Sequence, residues 1–313
     1  MEPRKRIRRF ELLERFERFE LIALVVDRSE TVTLSFTARV ISDGGSRRRL
    51  GPLRGKGRMN FIELTMPLNH RGMPDECLPT SVKFFLGPKN HEEKGIVLGS
   101  DSGTCLTLPA MFAEFRKTTR LDELAVEKLF LRPTTVAAIA KGKGEEITRA
   151  DVEKTLGASQ PAKGDALLIA TGWGDRTSHE LEGGDYVLHS PHFSFDAAKY
   201  LAERMTENES DLLLLDTALV GRPDKHLIPE WCSLLPTPPA ESGEARMYLH
   251  LYDSEKAKAD FAVEMEFARR GIMTVRKLVR CGRIEKPRFR VIVAPLRIVR
   301  GVASTCRVVA VED

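Results

Sequence analysis

The chain has 313 residues, of which 42% are hydrophobic and 30% charged, so it is long enough for one large globular domain or two small ones. Its formal net charge of +4 comes from the first 58 residues, which hold 15 Lys or Arg against 8 Asp or Glu, whereas the rest hold 34 against 37. No apolar run approaches the roughly 18 residues of a membrane-spanning helix, and no secretory-signal pattern opens the chain. The five cysteines form no C-x-x-C pair, which is typical of reduced thiols. We therefore expect a cytoplasmic protein without a membrane partner.

The basic segment at the start of the chain differs in composition from everything that follows. Residues 47–58 are rich in Arg and Gly, as linkers and disordered segments are. The segment lacks aromatic residues spaced for base stacking, so we predict no nucleic-acid partner. We expect residues 1–58 to form a partly disordered or non-native extension and residues 59–313 to form the folded domain. Because Met59 directly precedes an apolar segment, one hypothesis is that the native protein starts there, and native amino-terminal sequencing tests it.

Local patterns in residues 134–156 predict a strand followed by a helix. Residues 134–140 are apolar and β-prone, which predicts a strand. Thr148, followed at the third position by Asp151, is typical of a helix amino terminus. We therefore predict a helix over residues 149–156.

The middle and end of the chain continue the alternation. Residues 166–170 and 212–215 are continuous apolar runs, as expected of strands buried on both faces. Between them, residues 195–205 have the spacing of an amphipathic helix. A second such helix over residues 258–270 ends at Gly271, a typical C-cap. This pattern predicts a single α/β domain with a mixed sheet.

A series of short motifs runs through the predicted domain. They are residues 62–68 (IELTMPL), 101–111 (DSGTCLTLPAM), 164–173 (GDALLIATGW), 190–194 (SPHFS), 211–216 (DLLLLD), and the closing pair 289–299 and 303–310. The ordered set resembles the cyclase family of metal-dependent hydrolases, which includes bacterial kynurenine formamidase. The resemblance implies the swivelling β/β/α fold of that family, a homodimer or homotetramer, and zinc-dependent hydrolysis of a small formamide, amide or lactone.

The positions that bind metal in the family carry other residues here. The family signature is H-x-G-T-H-x-D-x-P-x-H, and this chain has Asp101, Cys105 and Thr107 in place of its His, His and Asp ligands. Met111 replaces the closing catalytic His. The family also uses a His and a Glu twelve residues apart, where this chain has Glu264 and Arg276. All five ligand positions have changed, so we predict no metal and no other cofactor.

Arg276 has two interpretations. A guanidinium is permanently charged and only donates hydrogen bonds, so it cannot coordinate zinc. If it points inward, it takes the place of the metal cation and pairs with Asp101 and Glu264. If it points to the surface, the former pocket is packed shut. On the first interpretation, Cys105, Glu264 and Arg276 are the candidate catalytic residues.

Cys105 has three interpretations. It could act as a zinc ligand together with Asp101 and Glu264, as a nucleophile whose thiolate a neighbouring cation stabilises, or as a small buried hydrophobic residue. A nucleophile also needs a base, and His192 or His189 is the candidate, since that loop lies near the site in the family. The residues that we assign to substrate binding are Asp101, Thr107, Trp173 and His192.

Two functions remain open from the sequence. The first is an arylformamidase-type hydrolase with a rebuilt site that acts on a small amide, formamide or lactone. The second is a catalytically inactive relative that binds a small molecule or a partner subunit. Metal analysis combined with an N-formylkynurenine hydrolysis assay discriminates between them.

Overall fold

The computed structural model describes residues 59–68, 82–86, 94–100, 102–176, 185–221 and 261–313 of the chain. Backbone contacts group residues 61–312 in one unit. The predicted extension lies outside the described residues, and its boundary stays a prediction. Within the described part of the chain, no helix has the length and apolar character needed to cross a bilayer.

Strands and helices alternate along the described chain. The strands are β1 (Asn60–Glu63), β2 (Val82–Leu86), β3 (Lys94–Leu98), β4 (Cys105–Thr107), β5 (Arg132–Ala138), β6 (Glu146–Ile147), β7 (Ala166–Ala170), β8 (His192–Phe193), β9 (Leu212–Leu215), β10 (Met273–Arg276), β11 (Arg288–Pro295) and β12 (Ala303–Glu312). The α-helices are α1 (Arg149–Ser159), α2 (Asp185–Leu188), α3 (Phe195–Glu207) and α4 (Ala262–Arg269). The predicted strands and helices all occur, with ends that differ by a few residues; residues 258–260 of the last predicted helix lie outside the described ranges.

One large sheet closes on itself. Its strand order is β1-β12-β11-β5-β7-β9-β10-β4, and β4 pairs additionally with β12. Strands β5, β7, β9 and β10 run parallel to their neighbours within that group. Strands β11, β12 and β4 pair antiparallel. The result is a mixed, barrel-like sheet, which confirms the predicted α/β domain.

The core has one layer inside the barrel and another beneath the helices. All four residues of β9 are buried, and successive side chains of a strand point to opposite faces. Leu212 and Leu214 join an apolar cluster with buried residues of six other strands of the barrel. Leu213 and Leu215 join the cluster that contains Leu201 of α3 and residues of α4. Burial on both faces explains why the sequence of this strand is a continuous apolar run.

The helix ends follow the signals in the sequence. The Thr148 hydroxyl accepts a hydrogen bond from the Asp151 N–H, and the Asp151 carboxylate accepts one from the Thr148 N–H, so the predicted capping box is confirmed. At the far end of the domain, Gly271 follows α4 with a φ of 73°, a left-handed conformation that glycine adopts without strain. This turn leads directly into β10, which carries Arg276.

Candidate functional site

Two adjacent antiparallel strands place three of the predicted site residues on one face of the barrel wall. Arg276 of β10 lies opposite Cys105 of β4, and Thr274 lies opposite Thr107. The alternate residues of both strands belong to the barrel core. The face that carries Cys105, Thr107 and Arg276 is therefore the outer one, on which α4 lies.

Arg276 is buried in this position. Only 8% of the residue is exposed, and its Nη2 atom lies 3.8 Å from the Sγ atom of Cys105, which has no exposed surface. The structure thus places the guanidinium inside the protein and beside Cys105. Thr107, on the same face, is also buried, and its hydroxyl has no hydrogen-bond partner among the described residues.

Glu264 reaches this face from α4. Its Oε1 atom accepts a hydrogen bond of 3.0 Å from the Gly221 N–H. Although Glu264 as a whole is half-buried, its Oε2 atom is buried and has no hydrogen-bond partner in the described structure. A Cβ atom on residue 221 would lie 3.1 Å from that oxygen and 2.9 Å from the Val263 Cβ, so glycine permits this close approach. Sequence patterns do not single out Gly221, because its partner lies 43 residues away.

Charge and burial compete at Glu264. Burial raises the pKa of its carboxyl, while the Gly221 N–H and the positive charge of Arg276 act in the opposite direction and do not fully compensate. Glu264, Thr107 and Arg276 line one recess, together with apolar residues that include Met111. The recess has a volume of about 30 Å³, which is room for about one water molecule. The residues around this water-sized recess therefore carry one cation and two buried oxygens that have no hydrogen-bond partner among the described residues.

The other predicted site residues lie elsewhere or outside the described structure. Asp101 is outside the described residues. Trp173 is fully buried, its indole N–H donates to the Tyr186 carbonyl over 3.0 Å, and it belongs to a separate apolar cluster. His192 is buried on β8, where its Nδ1 atom lies 3.4 Å from the Ser190 carbonyl oxygen. Neither side chain lines the recess beside Arg276.

Asp216 is a buried carboxylate outside the set of predicted site residues. It follows β9, is fully buried, and accepts hydrogen bonds from the Thr171 N–H, the Thr171 hydroxyl and the Gly172 N–H at 2.7–2.9 Å. Burial raises its pKa to about 6, although these hydrogen bonds act to lower it. The sequence feature that could have identified this residue is its position directly after the all-apolar strand β9. The contacts tie the carboxyl ends of β7 and β9 together.

Zinc, which the family resemblance implies, does not fit the residues around Arg276. The buried guanidinium of Arg276 has no lone pair to donate and repels a dication. Cys105 and Glu264 are of types that bind zinc, but the guanidinium lies 3.8 Å from the Cys105 sulfur. Thr107 and Met111 are poor zinc ligands. Within the described residues, no group of three or more His, Cys, Asp or Glu side chains is arranged to hold a metal ion.

Comparisons with known proteins agree with the fold. The Cyclase family model matches residues 62–217, about half of the chain. An isatin hydrolase bound to the product analogue thioisatinate has a TM-score of 0.60 at 17% identity, over 81% of this chain and 92% of its own. Isatin hydrolase A from Ralstonia solanacearum has a TM-score of 0.58 at 16% identity, over 82% and 92% of the two chains.

A potential metal-dependent hydrolase with cyclase activity is similar over 82% of this chain and 100% of its own, with a TM-score of 0.54 at 17% identity. No curated protein sequence matches the chain. At such identities the structural likeness shows the fold alone. The family match, the shared closed sheet and the ordered motifs lead to one conclusion: the chain belongs to the cyclase family.

Proposed function

We propose that this protein is a metal-independent, arylformamidase-type hydrolase that cleaves a small formamide, amide or lactone. The observation that carries the proposal is the buried Oε2 atom of Glu264, which has no hydrogen-bond partner among the described residues and belongs to a side chain that lines a water-sized recess together with Arg276. A carboxylate with a raised pKa is suited to act as a general base near neutral pH. Isatin, which the names of two structural neighbours contain, is itself a cyclic amide.

The residues support a mechanism without a metal. The Glu264 carboxylate takes a proton from a water molecule in the recess, and the water oxygen forms a bond to the substrate carbonyl carbon. The carbonyl oxygen becomes an oxyanion, which the positive charge of Arg276 stabilises. As the carbonyl re-forms, the carbon–nitrogen bond breaks, and the proton held by Glu264 passes to the leaving nitrogen. In a lactone the leaving atom is oxygen.

Cys105 acts in this mechanism through Arg276. Its sulfur is fully buried and lies 3.8 Å from the guanidinium, so it helps to hold the cation in place. A catalytic thiol at this position, the other role considered for Cys105, remains the competing mechanism. It requires a base near the sulfur, and His192 lies on β8, away from the recess.

One observation favours a second function, binding without turnover. The recess of about 30 Å³ has room for about one water molecule, whereas pockets for small molecules usually measure about 300–1,000 Å³. A protein with this geometry could retain the family fold as a binding or partner subunit. The recess beside Arg276 would then be too small to admit a substrate.

A variant at Glu264 tests the proposed base. We expect Glu264→Gln to lower kcat for isatin or N-formylkynurenine hydrolysis by about 10²- to 10⁴-fold, because an amide cannot accept the proton from water. Wild-type turnover should persist in excess chelator. Glu153→Gln, a change at an exposed glutamate of α1, serves as the matched control and should leave kcat unchanged.

The alternatives give different results in the same assays. Stoichiometric bound zinc with chelator-sensitive turnover contradicts the metal-independent mechanism. If Cys105→Ala abolishes turnover while Glu264→Gln retains it, the thiol mechanism is correct. If neither compound is hydrolysed but one of them raises the melting temperature, the protein binds without turnover.

A further inference from the structure

Two phenylalanines lie on the exposed side of the recess beside Arg276. Among the residues that line this recess, Thr107 and Arg276 are buried, whereas Phe112 and Phe261 are partly exposed. The ring centroids of Phe112 and Phe261 lie 6.3 Å apart, and the ring planes are inclined by 59°. The two rings therefore contact each other on the side from which a substrate has to enter.

The recess is too small for a substrate while these rings are in contact. Its volume is about 30 Å³, whereas pockets for small molecules usually measure about 300–1,000 Å³. Backbone hydrogen bonds fix both residues: the Phe112 N–H donates to the Pro109 carbonyl over 3.1 Å, and the Phe261 carbonyl accepts from the Met265 N–H over 2.9 Å. A phenyl group has no hydrogen bond to break, so rotation of either side chain enlarges the recess while the backbone stays in place.

The two rings also favour one kind of substrate group. Phe261 is the N-cap residue of α4 and lies three positions before Glu264, a spacing at which side chains of a helix are neighbours. A group held between Phe112 and Phe261 therefore lies next to the Glu264 carboxyl. Aromatic rings attract one another at centroid distances of about 4.5–7 Å, beyond the effect of the apolar area that they bury. A saturated ring of the same size lacks this contribution.

We propose that Phe112 and Phe261 determine substrate specificity by separating to take the aromatic ring of the substrate between them. The inference rests on the proposed hydrolysis and specifies its substrate, a formamide or lactone whose reacting carbonyl is attached directly to an aromatic ring or lies close to one. The ring contacts place that carbonyl beside Glu264 and Arg276. The small volume of the recess is then that of the site with the two rings in contact and no substrate between them.

Two lactones that differ only in the fused ring test this role. Phthalide carries a benzene ring, and hexahydrophthalide carries a cyclohexane ring in the same place. NMR titration of Glu264→Gln, which lacks the proposed base, measures binding with little turnover, and we expect phthalide to bind roughly 3- to 10-fold more tightly because of its ring contacts. Phe112→Leu and Phe261→Leu, each combined with Glu264→Gln, should lower this preference to about 2-fold or less. Phe130→Leu, a change at an exposed phenylalanine that does not line the recess, is the matched control and should retain the preference.

The outcomes distinguish this role from the proposed hydrolysis. If the wild type hydrolyses neither lactone but the binding preference is present and depends on Phe112, the specificity role is correct and the proposed function is wrong. If the wild type hydrolyses both lactones and Phe112→Leu leaves the ratio of their kcat/KM values unchanged, the proposed function holds and the specificity role is wrong. The inference is also overturned if neither lactone binds, if both bind equally well, or if Phe130→Leu removes the preference as Phe112→Leu does.

Discussion

Replacement of Arg276 by methionine is expected to lower kcat/KM for the proposed hydrolysis by about 10²- to 10³-fold, the usual effect of removing one group that stabilises an oxyanion. Methionine retains an apolar stem of comparable reach while the positive charge disappears. The variant should also shift the pH dependence. Because the Arg276 charge acts to lower the pKa of Glu264, its removal raises that pKa further, and the acidic limb of the rate profile moves to higher pH.

The pH profile separates this role from a purely structural one. A general base works only when deprotonated, so the rate rises with pH through the pKa of Glu264, and the variant should need a higher pH to reach half of its own maximum. Arg276→Lys keeps a charge and should retain more activity than Arg276→Met. Equal losses in both variants with an unchanged pH profile would contradict the electrostatic role.

Local patterns in the sequence were sufficient for the elements of the fold but not for their assembly. The apolar run of β9 and the Thr148 cap depend on neighbours within a few residues, and both were predicted. Barrel closure depends on the pairing of Leu106 with Ser304, residues almost 200 positions apart. No periodic pattern reports a contact at that separation. The chain order of the motifs, through the family resemblance, supplied the fold instead.

In the candidate site too, the sequence predicted positions in the chain but not the contacts of the side chains. The resemblance related Cys105 to Arg276, and the strand register places them opposite each other. A motif gives a position in the chain but not the direction of a side chain. Trp173 was assigned to substrate binding, yet its indole N–H donates to the Tyr186 carbonyl within a closed apolar cluster. Gly221, whose N–H binds Glu264, has significance only in three dimensions.

Replacement of Asp216 by alanine is expected to cause the largest loss of stability. The Thr171 N–H, the Thr171 hydroxyl and the Gly172 N–H would remain buried without their acceptor. We expect the free energy of unfolding to fall by about 3–5 kcal/mol, because each unpaired buried donor costs about 1–3 kcal/mol. The melting temperature should fall by roughly 10 °C. Calorimetry measures both quantities.

Asp211, the carboxylate at the opposite end of β9, provides the matched control. Asp211 precedes β9 and forms partly exposed ion pairs with Lys128 and Arg132. Because exposed ion pairs contribute little, Asp211→Ala should destabilise the protein by about 1 kcal/mol. If the two alanine variants lose similar stability, the hydrogen bonds to Asp216 do not have the structural importance proposed for them.

Asp216 should also make stability depend on pH. Its pKa in the folded protein is about 6, raised by burial from the usual 3.8, so the folded state holds the proton more tightly than the unfolded chain. The contribution of this carboxyl to stability is therefore fully present below about pH 3.8 and is lost as the pH rises through about 6. Over that range the loss amounts to roughly 3 kcal/mol. Asp216→Asn cannot titrate, so urea denaturation should show a smaller stability difference from the wild type at pH 7 than at pH 4.5.

Parallel pH dependence in the wild type and Asp216→Asn would show that this carboxyl does not change its pKa on folding.

A further consequence links Asp216 to the candidate site. The segment after Asp216 is held to the residue that follows β10 by the hydrogen bond from the Lys277 N–H to the Thr217 carbonyl, and the segment includes Gly221, which binds Glu264. Because the same segment positions the Glu264 carboxylate, Asp216→Asn should lower kcat of the proposed reaction at a temperature where the variant is still folded. An unchanged kcat under that condition would separate the stability role of Asp216 from the geometry of Glu264.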